Sequence, residues 1–164
     1  MTSKQVARFS LLVALAMVLS WLDSLIPVSS AVPGVKLGLA NLVVIFALYC
    51  MRLREAVLLS LVRVLLVSLT FGNAYAFAYS LAGAVLSLGA MVLLKKSGLF
   101  SPVGVSVAGG VCHNIGQILV AMVVLETGRL ICYLPVLLVS GLAAGVAIGV
   151  VGAIIVKRIP ITES

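Results

Sequence analysis

The chain has 164 residues, of which 63% are hydrophobic and 9% charged, and its formal net charge is +7. A soluble domain averages about 45–50% apolar and about 25% charged residues, and a fold of this size still leaves roughly 30% of its unfolded surface in water, so a water-soluble globule is excluded. The basic excess falls in short clusters between apolar runs, with no stripe of cations and stacking aromatics, which reads as membrane topology and excludes nucleic-acid binding.

A helix needs about 20 apolar residues to cross the hydrocarbon core of a bilayer. Runs of this kind are predicted over residues 6–26, 37–51, 54–71, 77–94, 103–125 and 131–156. The expected fold is therefore all-α, a polytopic bundle of six transmembrane helices, with residues 1–164 forming one membrane domain. The first run, behind Lys4 and Arg8, reads as a retained helix and not as a cleaved signal peptide, because five further runs follow it. It carries the small pair Ala16-x-x-x-Ser20. Pro27 and Pro33-Gly34 break the chain before the second run, which is short for a span. That run is expected to be tilted, buried among its neighbours, or preceded by a re-entrant piece at "AVPGVK". Lys36 and Asn41 stand at its start, where Lys36 would snorkel or meet an anionic group.

The third run holds Arg63, nine residues after Arg54 and so roughly 13 Å deep at 1.5 Å per residue. Placing an arginine there costs on the order of 3 kcal/mol. Ser60, Arg63 and Thr70 are expected to share one inward face. Asp23 and Glu126 fall at the outer ends of runs, and Glu55 and Glu163 at the inner ends, so no carboxylate is expected at the depth of Arg63. A guanidinium without one needs helix carbonyls, water or an anionic ligand; a structural clamp and a ligand contact both stand. The start of the fourth run, "FGNAYAFAYS", offers Asn73, Tyr75 and Tyr79 at the rim, where tyrosine also serves as an interfacial anchor. Further along, Ser80, Gly83, Ser87 and Ala90 form one face of small residues.

The fifth run contains "GGVCHNIGQILVA". His113 and Gln117 are four residues apart and so lie on one helix face, with Asn114 adjacent. Such side chains can be interhelical glue worth about 0.6 kcal/mol each, or the convergent polar groups of a ligand pocket. In the last run Gly141, Gly145, Gly149 and Ala153 recur every four residues, a ridge suited to close helix packing. Lys4, Arg8, Arg52, Arg54, Lys95, Lys96, Lys157 and Arg158 fall on one side of the six runs, against Lys36 and Arg129 on the other. The positive-inside rule then places both termini of this multi-pass chain in the cytoplasm. Cys50, Cys112 and Cys132 have no metal-ligand spacing and read as free thiols, so no metal site is expected. No paired-carboxylate, Asp-rich, nucleophile or Walker motif occurs, and no catalytic residue is assigned.

At "PGVKLGLANLV", "SLVRVLL", "YSLAGAVLSLGAM", "GVSVAGGVCHNIGQILVA" and "YLPVLLVSGLAAG" the chain resembles a bacterial membrane family described as heptaprenyl diphosphate synthase component I or Gx transporter. The resemblance spans about residues 8–156 and implies an architecture similar to the six-helix S components of energy-coupling factor (ECF) transporters. Those proteins bind a substrate near the outer face and dock to a coupling subunit through small residues of their first helix, which would here be Ala16 and Ser20. The resemblance also implies a flavin or quinone setting. Prenyl synthases hold diphosphate through magnesium on Asp-rich motifs, so this chain would be a membrane companion of a separate catalytic subunit.

Two functions follow as expectations. The first is a substrate-binding transport subunit taking a vitamin-, flavin- or isoprenoid-like molecule into an intramembrane cavity lined by Lys36, Asn41, Arg63, Asn73, Tyr79, His113, Asn114 and Gln117. Energising or electron-transfer proteins would be its partners. The alternative is a quinone- or prenyl-interacting subunit of an electron-transfer or heptaprenyl diphosphate synthase assembly, with His113 bonding a quinone carbonyl.

Overall fold

The computed structural model describes residues 3–25 and 38–158. Helices α1 (Ser3–Leu25), α2 (Asn41–Cys50), α3 (Leu53–Phe71), α4 (Ala74–Ser97), α5 (Pro102–Val124) and α6 (Leu134–Arg158) run up and down, and a 3-10 helix at Gly128–Tyr133 leads into α6. Among the described residues there is no strand. Helix is what an apolar solvent demands, since each backbone N–H and C=O must find its partner within the chain.

Four segments are long and apolar enough to cross a membrane: Ser3–Leu25, Ala74–Ser97, Pro102–Val124 and Gly128–Arg158. Helix α3 has 19 residues but carries Arg54, Glu55 and Arg63, and α2 has only 10. The second predicted run, 37–51, thus becomes a helix of about half a span, because Gly38 turns with φ +69° and the helix starts only at Asn41. The surface agrees with a lipid solvent. Leu11, Leu69, Leu93, Val123 and Val139 are each at least 67% exposed, while Ser60, Arg63, Ser68, Ser87 and Ser106 are buried. A water-soluble fold has the reverse arrangement.

Local chemistry fixes the helix ends. Asn73 caps α4, its side chain accepting the Ala76 N–H at 2.8 Å, and Gly98 closes that helix in the left-handed conformation. Ser101 caps α5 ahead of Pro102, which needs no donor at the first helical position. The Glu55 carboxylate accepts the Arg52 N–H at the start of α3. At the C-terminus of α2 the Lys95 ammonium donates to the Leu48 carbonyl at 2.5 Å and lies 4.9 Å from the centre of the Tyr49 ring. A cation at a helix C-terminus meets the orphan carbonyls and the negative end of the dipole.

The bundle has two unequal parts. Helix α5 packs along its length against α4 on one side and α6 on the other, whereas α1, α2 and α3 touch each other and this slab more sparsely. Glycine makes the slab tight. A Cβ on Gly145 would stand 2.6 Å from Val107 Cα, one on Gly110 2.5 Å from the Gly141 carbonyl oxygen, and one on Gly116 2.7 Å from the Ala82 carbonyl oxygen. Gly141, Gly145 and Gly149 are buried, so the ridge read in the sequence packs inside this chain, against α5. The apolar core gathers around α2, where Val43, Val44, Ile45, Ala47 and Leu48 pack with Leu12 and Ala16 of α1, Ala56 and Leu59 of α3, Leu88 and Met91 of α4, and Val105 of α5.

Candidate functional site

A cavity of about 180 Å³ occupies the half of the bundle away from the clustered basic residues, and each of α1 to α6 contributes to its wall. On that measure it has room for on the order of a dozen waters, or for one small organic head group. Toward one end of the bundle it is lined by Ser24 at the end of α1, Gly38 and Ala40 before α2, Phe71 and Gly72 at and just past the end of α3, and Ala76 at the start of α4. Its interior reaches down to Ile45, Met91, Ser106 and Ile148.

Five of the predicted binding residues meet there: Asn41, Arg63, His113, Asn114 and Gln117. Arg63 is buried, and its Nη1 donates to Asn41 Oδ1 at 3.4 Å. Its Nε has no hydrogen-bond partner among the described residues. The α5 face does two jobs. Asn114 donates through Nδ2 to the Leu137 carbonyl at 2.6 Å and to Ser140 Oγ at 3.4 Å, tying α5 to α6 while lining the cavity. His113 lies against bare backbone, since a Cβ on Gly83 would stand 2.9 Å from its Nδ1. The glycine that admits this ring is therefore on α4, not among those flanking the histidine in sequence.

Other expectations land elsewhere. Asn73 is exposed and its side-chain Oδ1 is engaged as the α4 cap; Tyr79 is half-buried on α4; neither lines the cavity. Lys36 lies outside the described residues. Ala16 is completely buried in the core, and the half-buried Ser20 lines the cavity with its Oγ donating to the Ala16 carbonyl at 2.7 Å. Thr70 is exposed, donates through Oγ1 to the Leu66 carbonyl, and does not line the cavity. Ser68 takes the inward place instead.

Arg63 is also not remote from a carboxylate. Asp23 lines the same cavity, its Oδ2 accepts the Gly38 N–H at 3.0 Å, and its charge acts on the guanidinium. Depth counted along separate helices missed this, because two side chains from different helices can reach one space between them. The available signal was Ser20-x-x-Asp23, which puts both residues on one face of α1. Ser80, Ser87 and Ser106 also line the cavity, and the first two were legible as a face of small residues. Among the described residues there is no cluster of histidine, cysteine or acidic side chains able to hold a metal ion.

The arrangement is a small polar chamber in an apolar shell, with a cation and a carboxylate on one wall and an imidazole and two amides on the other. No curated protein and no solved structure matches the sequence. A family model does, over residues 12–155, and its description is heptaprenyl diphosphate synthase component I. With nearly the whole membrane region matched, the chain belongs to the heptaprenyl diphosphate synthase component I family.

Proposed function

We propose that the protein is a ligand-binding membrane subunit, which takes a small molecule into the chamber between α1–α3 and α4–α6. The observation that carries this reading is the convergence of Asn41, Arg63, His113, Asn114 and Gln117 on one cavity. Burying an arginine is costly unless something accepts its hydrogen bonds, and a wall that is more polar than packing requires is what orients a ligand. In this reading six segments span a bacterial cytoplasmic membrane, with α2 as the short one, both termini face the cytoplasm, and the mouth opens outward. The architecture is then similar to an ECF S component. The description "component I" implies a partner subunit, and energy or electrons for any transport come from such a partner.

Native mass spectrometry of the purified protein tests this. A specific co-purifying small molecule is expected in the wild type and absent from H113L/Q117L, with both proteins folded and inserted. A ligand-free wild type, or a variant that loses its fold and not its ligand, would sink the reading. The family description favours a second reading, in which the same cavity holds the head of a quinone or prenyl lipid within an enzyme assembly. A lipid-soluble co-purifying molecule would select it.

A further inference from the structure

Among the described residues, the polar wall of the cavity pairs one carboxylate with one guanidinium. Asp23 accepts the Gly38 N–H at 3.0 Å, the Asn41 N–H donates to the Gly38 carbonyl at 2.8 Å, and Asn41 Oδ1 accepts from Arg63 at 3.4 Å. One short path thus links the carboxylate to the buried guanidinium, and both line the same space. The start of α2 adds no seat for an anion. The N–H groups of Asn41, Leu42 and Val43 are taken by the carbonyls of Gly38, Leu39 and Ala40. The donors that a helix N-terminus would lend to a phosphate are therefore already used.

A diphosphate brings two or more negative charges, and drawing them out of water requires matching cations. Among the described residues lining the cavity, the charge of Arg63 is countered by that of Asp23, and a protonated His113 would add at most one positive charge. An uncharged carbonyl asks for less. It would accept from Arg63 Nε, which is buried and has no hydrogen-bond partner among the described residues, while His113 and Gln117 serve the far side of the ring.

We propose that Asp23 sets the charge selectivity of this cavity: by balancing Arg63 it admits uncharged, carbonyl-rich head groups and shuts out diphosphates. This rests on the ligand-binding reading above. A quinone held in the membrane and a fused heterocycle such as a flavin ring share that chemistry.

Thermal stability of the full chain in detergent, titrated with menadione, lumichrome and inorganic diphosphate, tests it. The wild type is expected to be stabilised by menadione or by lumichrome, which tells a quinone from a flavin-like ring, and to ignore diphosphate. D23N keeps an acceptor for the Gly38 N–H but removes the charge, and should bind diphosphate about tenfold or more tightly than the wild type does. R63Q should lose the response to the neutral probes. Diphosphate stabilising the wild type as well as D23N overturns the proposal and leaves the cavity reading intact; the wild-type titrations decide this even if a variant fails to fold. Silence toward all three probes in every form also overturns it. In that case a co-purifying molecule lost from H113L/Q117L would show that the cavity reading survives.

Discussion

Replacing Gly145 with alanine adds a single methyl group where α5 and α6 meet backbone to backbone. The new Cβ would stand 2.6 Å from Val107 Cα and 3.1 Å from the Ser106 carbonyl oxygen. Ordinary carbon–carbon contact begins near 3.5 Å, so the helices must separate by roughly an ångström, and the obstacle is backbone that cannot rotate aside. Overpacking of this kind costs about 1–3 kcal/mol. At 2–4 °C per kcal/mol for a chain of this length, Tm should fall by about 2–12 °C. Gly89 provides the control, since it lies on α4 with nothing within 4 Å of its added Cβ. G89A should therefore be neutral or slightly stabilising, by up to about 1 kcal/mol of helix propensity. Unfolding followed by intrinsic fluorescence in one detergent compares the two. Equal Tm values for G145A and G89A would refute the seam as the stiff element of the fold.

Further outcomes follow from the caps and ties. K95M removes both the ammonium bond to Leu48 and the contact with Tyr49, and should destabilise by about 1.5–3 kcal/mol, read as a lower Tm. N73A removes the α4 cap; it should cost about 0.5–2 kcal/mol and leave the amount of co-purified ligand unchanged, since Asn73 does not line the cavity. N114L cuts the bond to the Leu137 carbonyl and should lower stability by about 0.6–1.7 kcal/mol, with ligand retention measured on the same sample.

Much of the helical layout was legible because lipid imposes one rule on every segment. The runs at 77–94, 103–125 and 131–156 each lie within or close to α4, α5 and the Gly128–Arg158 segment. Gly98 closes α4 and Pro102 opens α5, as the turn chemistry of glycine and proline suggests. The glycine ridge of α6 announced a close neighbour, though not which one. The site was half legible. Polar residues stand out when the background is apolar, and His113, Asn114 and Gln117 lie together because they share one helix face. What sequence could not supply was the pairing between helices. Asp23 and Arg63 are 40 positions apart, and only the packing of α1 and α3 around the short α2 puts them on one wall. For the same reason Asn73 and Ala16 looked available when a cap and the core had already claimed them.

The inequality between the two parts of the bundle bears on how the chamber can breathe. Its α5–α6 side is clamped by glycine contacts that leave no slack, so motion there would break backbone packing along a whole helix. Its α1–α3 side is joined more sparsely, and the carboxylate and guanidinium both belong to that side. Local openings follow the parts with the fewest buried contacts. The chamber therefore has one wall that acts as a template and one that acts as a door. Under the proposed ligand-binding role, Asp23 and Arg63 would travel with the door, and selection by charge would occur at entry, before a ligand reaches the histidine.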